Sequence, residues 1–114
     1  MLRREFSGAV VDTTLSANIS NASSSFSVLD GSTFPSGTSY PFVIVMDRGN
    51  ASEEKMLISS RSTNTFTIQT RGYDGTTAVA HTAGAIVDHI LDATTIQDMN
   101  DTVYNSEVNL WMAV

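Results

Sequence analysis

Apolar and polar residues alternate with a period of two along several short stretches of the chain. In residues 25–29 this alternation places Phe26 and Val28 on one face, and in residues 65–70 it places Phe66 on one face. Such a pattern predicts strands with one buried and one exposed side. Stretches read in this way are residues 13–19 (with Leu15 and Ile19 on one face), 25–29, 54–60 and 65–70 (with Ile68 beside Phe66).

Two further stretches are continuously apolar. Residues 42–46, Phe-Val-Ile-Val-Met, predict a central strand buried on both faces. Residues 85–91 predict a last strand in which either Ile86 or Val87 faces the core. Turn residues separate all six stretches, and regular short strands of this kind indicate a mainly β protein: a small antiparallel β-barrel or a sandwich.

The pattern changes after residue 91. Thr94 followed by Gln97 resembles a capping box, and apolar residues then recur at heptad-like spacing, which predicts a helix over about 94–105 with a looser end. A helix this short needs a partner: its own sheet, other copies in a short coiled-coil stem, or another protein. The predicted organisation is an N-terminal arm (1–12), a β-domain (13–91), and a C-terminal helix and tail (92–114).

The two ends of the chain differ in charge. Arg3 and Arg4 lie in the arm, whereas no Lys or Arg follows Arg71 in an otherwise acidic final third. These ends either meet across a subunit interface or are separately solvated. Phe6 either covers its own sheet or fills a neighbour's pocket. The predicted assembly interface comprises Arg3, Arg4, Phe6, Ile96, Met99, Val103, Leu110 and Trp111.

Composition excludes several classes of function. A chain of 114 residues is one domain in size, and its net charge of −6 argues against nucleic-acid binding. Cysteine is absent, which excludes disulfides, thiolate catalysis and cysteine-ligated metals. No apolar run approaches the ~20 residues of a membrane-spanning helix, and no secretion signal is visible at the N-terminus.

Residues that often carry chemistry do not form a recognisable constellation. The two histidines, His81 and His89, lack zinc-site spacing, and Asp88 and His89 point to opposite faces of a strand. Asp74 precedes a glycine and is interpreted as a turn residue. The acidic pair of Glu53 and Glu54 is interpreted as a solvated strand edge rather than a calcium site. We therefore expect no catalysis, no metal and no cofactor.

A long loop follows the fifth predicted strand, and a loop of this length in a small domain suggests a structural or adhesive role. We expect Arg71 to pair with Asp74 across the turn, and the His81 ring to bind backbone carbonyls that lack ladder partners. The predicted structural residues of this loop are Arg71, Gly72, Tyr73, Asp74, Gly75, His81 and Gly84.

The order of these motifs resembles a known family. A Phe-Pro loop at 34–35, the apolar strand at 42–46 and Glu-Lys-Met-Leu-Ile at 54–58 precede Arg-Gly-Tyr-Asp-Gly-Thr-Thr-Ala at 71–78, which is followed by Ala-His at 80–81 and Ala-Gly-Ala at 83–85. The chain in this respect is similar to a small β-domain that recurs in structural proteins of tailed bacteriophages. The resemblance covers about residues 13–91, and residues 71–85 are its specific part.

The resemblance implies a non-catalytic virion protein, assembled in the bacterial cytoplasm and bound to other capsid or tail subunits. The shortness of the chain favours a capsid decoration protein or a head-fibre or accessory subunit, anchored through its arm and helix. A homo-oligomer is expected, with a trimer as one such state. The alternatives are a small tail or head–tail connector subunit, and a module that binds carbohydrate or the host surface through Tyr40, Tyr73 and Trp111.

Overall fold

The computed structural model of the protein describes residues 4–90 and Gln97. Within residues 4–90 all regular structure is β, which confirms the predicted class. The predicted C-terminal helix lies outside the described residues, except for Gln97. The strands are β1 (Thr13–Thr14), β2 (Ser25–Ser27), β3 (Phe42–Met46), β4 (Glu54–Ser62), β5 (Thr65–Tyr73) and β6 (Ile86–His89).

The six strands form one antiparallel sheet in the order β1-β6-β3-β4-β5-β2. The sheet curls into a half-barrel, and its two edges approach each other where Leu15 forms an isolated bridge with Val28. On either side of this bridge the Leu29 N–H donates to the Thr14 carbonyl at 3.1 Å, and the Ser16 N–H donates to the Ser27 carbonyl at 2.9 Å. The barrel-like alternative is therefore right in outline, and the sandwich alternative is wrong because only one sheet exists in the described part.

Aromatic side chains fill the concave face of the sheet. Phe66 is fully buried and stacks on Phe26, with ring centroids 5.0 Å apart, and it meets Phe34 and Phe42 edge-on at 5.2 and 5.9 Å. Offset-stacked and edge-on pairs of this kind add roughly 0.5–1.5 kcal/mol each to the free energy of area burial. Phe66 on β5 is the centre of this cluster, because it contacts one ring on β2, one on β3 and one in the loop that precedes β3.

The central strand is buried on both faces, as its composition predicts. Phe42, Ile44 and Met46 belong to the aromatic core, whereas Val43 and Val45, each 1% exposed, lie on the opposite face. In β6 it is Val87 that faces the core, since Val87 is fully buried and Ile86 is 54% exposed.

Candidate functional site

A carboxylate that belongs to the buried face of β4 is the centre of the candidate site. Glu54 begins the strand and shares its face with Met56 and Ile58, because side chains two apart point the same way. The Glu54 side chain is fully buried. The prediction that Glu54 belongs to a solvated strand edge is therefore wrong. Four side chains meet here and are called the charged cluster below: Asp47, Glu54, Arg71 and His81.

Arg71, near the end of β5, forms a bidentate ion pair with Glu54. Its Nε donates to Glu54 Oε2 at 2.8 Å, and its Nη2 donates to Oε1 at 2.9 Å. The remaining donors reach the carbonyls of Ser20, Ser23 and Val79 at 2.9, 3.0 and 2.8 Å. All five N–H donors of the arginine are thus used, and the side chain ties β5 to the turn at 20–23 and to the long loop.

Two backbone amides complete the surroundings of the carboxylate. The Gly72 N–H donates to Oε2 at 2.9 Å, and the Val79 N–H donates to Oε1 at 3.1 Å. Burial alone would raise the pKa of Glu54, but hydrogen bonds from Arg71, from His81 and from these two amides outweigh it and lower the pKa to about 2. Glu54 is accordingly a permanent anion at neutral pH.

His81 lies between two carboxylates. Its ring is fully buried, with Nδ1 2.8 Å from Asp47 Oδ2 and Nε2 2.9 Å from Glu54 Oε1. Because ionised carboxylates only accept hydrogen bonds, both contacts are satisfied when both ring nitrogens donate. The expectation that the ring binds backbone carbonyls is wrong. Instead, the backbone of His81 pairs with Ile19 in an isolated bridge, through hydrogen bonds of 2.9 and 3.1 Å.

The turn that follows β5 is held by different partners from those expected. Asp74 binds Lys55 Nζ at 2.9 Å, and Arg71 binds Glu54, so the predicted pairing of Arg71 with Asp74 is wrong. Gly72 is required by geometry, since its φ is +55° and an added Cβ would lie 2.9 Å from the Ala78 nitrogen. Asp74 also has a positive φ of 52°, which Asp tolerates better than most residues.

The charged cluster has the chemistry of an internal brace. The His81 Nε2, which would activate a hydroxyl in a nucleophilic site, binds Glu54, and the nearby Ser52 hydroxyl donates to Asp47 at 3.1 Å. Among residues 4–90 and Gln97, no group of three or more acidic or histidine side chains is arranged to hold a metal ion. The same described residues include no helix of the length and apolarity needed to cross a bilayer.

Two of the predicted interface residues, Arg4 and Phe6, lie in the described part of the chain. Arg4 donates to the Tyr73 hydroxyl at 2.9 Å, and the Phe6 ring, 55% exposed, lies 4.9 Å from the His89 ring of its own chain. The other predicted interface residues lie outside the described part of the chain: Arg3, Ile96, Met99, Val103, Leu110 and Trp111.

Sequence reasoning selected Arg71 and His81 but missed Glu54 and Asp47, which hold them. One signal for Glu54 was present: its parity with Met56 and Ile58 in a strand whose apolar face must be buried. Asp47 offered no such signal, because an aspartate in an Asp-Arg-Gly turn is ordinary. No protein-family model matches this chain, and no curated protein sequence matches it either.

Proposed function

We propose that this chain is a non-catalytic structural subunit of a bacteriophage particle, in the position of a capsid decoration or head-fibre accessory protein. The observation that supports the proposal is the set of contacts made by residues 71–85, the segment that resembles phage β-domains. Two of its side chains, Arg71 and His81, bind the chain's own Glu54, Asp47 and backbone. The segment therefore serves to fix a loop on a sheet, which is the work of a scaffold.

A charged cluster of this kind suits a small domain whose long loop must keep one fixed position. The long loop has little secondary structure of its own, and its position depends on Arg71 and His81 reaching Glu54 at the start of β4. Buried ion pairs are weak contributors to net stability but are costly to break singly, so they favour one arrangement of the chain over others. A rigid loop would in turn present a constant surface to neighbouring subunits.

Exposed apolar side chains supply the contact surface that assembly would bury. Ile86 is the pairing partner of Thr14, and Leu29 donates its N–H to the Thr14 carbonyl. These two side chains, 54% and 70% exposed, thus lie on either side of β1, Ile86 on β6 and Leu29 in the segment that follows β2. Large apolar groups on neighbouring strands are typical of surfaces that bind another protein.

Two alternatives share part of this support. A small tail or head–tail connector subunit would use the same scaffold and the same exposed residues. A carbohydrate-binding or host-surface module is less favoured, because the Tyr73 hydroxyl already binds Arg4 and only Tyr40, 40% exposed, presents an aromatic side chain from the proposed set within the described residues.

The proposal is tested on particles of a phage whose genome encodes this chain. We expect mass spectrometry of gradient-purified particles to find the full-length chain at constant stoichiometry, and a variant lacking residues 1–12 to be lost from them. Because arm residues contact the β-domain, circular dichroism must first establish that the truncated chain keeps its β structure. Full-length Glu53→Gln is the matched control and should be incorporated normally.

Absence of the full-length chain from particles would overturn the virion assignment. Normal occupancy by the truncated chain would refute anchoring through the arm. Light scattering of the purified chain tests the expected homo-oligomer, and specific binding on a glycan array would favour the carbohydrate-binding alternative instead.

A further inference from the structure

The second histidine, His89, connects the core to the N-terminal arm. Its ring is buried against Phe42 and Phe34, with centroids 5.9 and 6.5 Å away. Nδ1 lies 2.8 Å from the Val43 carbonyl oxygen, and Nε2 lies 3.1 Å from the backbone nitrogen of Ser7 in the arm. One ring thus joins the central strand to Ser7 in the N-terminal arm.

The partners of His89 fix its protonation. A carbonyl oxygen only accepts and a backbone N–H only donates, so Nδ1 must carry the hydrogen and Nε2 must present its lone pair. A second proton on Nε2 would face the Ser7 N–H and remove that hydrogen bond. The neutral ring is therefore the form that holds the arm, and the doubly protonated ring is incompatible with the observed contact.

The arm has other attachments on both sides of this point, including the hydrogen bond from Arg4 to the Tyr73 hydroxyl. The Glu5 carboxylate accepts hydrogen bonds from the amides of Gly37, Ser39 and Tyr40 at 3.2, 3.0 and 3.3 Å, and the Glu5 N–H donates to the Pro41 carbonyl at 2.8 Å. Phe6 adds its half-exposed ring above His89. Further along the chain, Val10 packs against the hydrophobic core, and the Val11 N–H donates to the Thr33 hydroxyl at 2.9 Å.

We propose that the N-terminal arm is a pH-sensitive latch, closed while His89 is neutral and released when His89 takes up a second proton at Nε2. Release would free Glu5, Phe6 and Ser7 and uncover the aromatic floor beneath Phe6. This inference concerns the arm of the isolated chain and does not rest on the proposed virion function.

The electrostatic surroundings agree with this direction. Burial lowers the pKa of His89 below its usual value of 6.5, and this outweighs the opposing influence of the Val43 carbonyl and of Asp88. Charged groups on the packed elements are Asp88 on β6, Glu5 on the arm, and Arg61, which binds the Phe34 carbonyl. Of these, Asp88 favours the charged ring and does not reverse the shift.

The sign of the pH dependence follows from linkage. The released histidine has the higher pKa, near the ordinary value of about 6.5, so it binds the proton more readily than the docked one. The latch is fully closed above that pH and weakens as the pH falls toward the lower pKa of the docked ring. Between the two pKa values, the ratio of released to docked arm rises by up to about tenfold per pH unit.

The test is NMR on the full chain between pH 8 and pH 4.5. We expect the hydrogen-exchange protection of the Ser7 amide, corrected for intrinsic exchange, to be constant above about pH 6.5. Below that value it should fall by up to about tenfold per pH unit, down to the pH at which the His89 ring shifts titrate. In His89→Gln, whose side chain remains neutral, the protection should stay flat. Phe6→Ala is the matched control and should lower protection at every pH while keeping the curve.

Glu5 also titrates, so the measurement is repeated in Glu5→Gln, where the fall in protection must begin at the same pH. Protection of the Ser7 amide that stays constant from about pH 6.5 down to the pH at which the His89 ring shifts titrate would overturn the latch. This comparison in the unmodified chain and in Glu5→Gln decides the matter even if His89→Gln does not fold.

Discussion

The two histidines are buried to a similar degree but are held in opposite ways. His81 lies between the carboxylates of Asp47 and Glu54, at 2.8 and 2.9 Å. His89 lies between a carbonyl oxygen and an N–H, at 2.8 and 3.1 Å, with three phenylalanine rings within 6.5 Å. Burial alone therefore does not determine the hydrogen-bonding role of a histidine ring. That role depends on which atoms face its two nitrogens.

The difference also separates a fixed region from an adjustable one. In the charged cluster, opposite charges are matched, and each group lost leaves another charge buried without compensation. Around His89 the hydrogen bonds are neutral, so the exchange of one proton affects one contact at the domain's edge. The first region braces the long loop, and the second attaches a short arm.

The largest expected effect comes from Glu54→Ala. Removal of this carboxylate leaves Arg71 and His81 without their buried anion, so unfolding free energy should fall by about 3–5 kcal/mol. Urea unfolding measures it. The neighbouring Glu53→Ala is the matched control and should cost about 0.5 kcal/mol or less. Equal effects from the two substitutions would show that the cluster does not brace the fold.

Acid should weaken the charged cluster in a defined range. Because the folded pKa of Glu54 is about 2 and its ordinary value is 4.5, its contribution is complete above pH 4.5 and is lost as the pH falls toward 2. The linked loss of stability is about 3 kcal/mol. Urea midpoints measured across that range should fall less steeply in Glu54→Gln than in the unmodified chain. Parallel curves would contradict the ionised, hydrogen-bonded state of Glu54.

Matched substitutions of the two histidines test the comparison directly. His81→Gln removes the partner of two carboxylates and should cost about 3 kcal/mol or more. His89→Gln exchanges one neutral hydrogen-bonding group for another and should cost about 1 kcal/mol at pH 7.5. Urea unfolding of both variants at that pH gives the ranking. A larger loss in His89→Gln would show that the hydrogen bonds of His81 to its two carboxylates are not the more important of the two sets.

The smallest effect is expected at the surface. Arg48 lies 3.4 Å from Asp88, but its side chain is 59% exposed. An exposed pair of this kind contributes about 0–1 kcal/mol, so Arg48→Ala should barely move the urea midpoint. A loss comparable to that of His81→Gln would mean that the surface pair is coupled to the charged cluster.

Much of the fold follows from local pattern. The period-two stretches contain strands because alternation requires one buried face, although in 13–19 only Thr13–Thr14 is a strand and Leu15 and Ile19 form isolated bridges. The run at 42–46 is the central strand because only burial on both faces accommodates it. The inward positions of Leu15, Phe26, Val28 and Phe66 were predictable for the same reason. A one-residue shift would have exposed every one of these side chains.

Only the tertiary structure decided the strand order, the single curled sheet and the partners of the charged residues. Glu54 meets Arg71 and His81 across 17 and 27 residues of chain. Parity with Met56 and Ile58 marks Glu54 as facing inward, but nothing local identifies Arg71 and His81 as its partners. Periodicity reports which side of an element is apolar, whereas the charge state of a buried group depends on atoms that folding brings together from distant strands and loops.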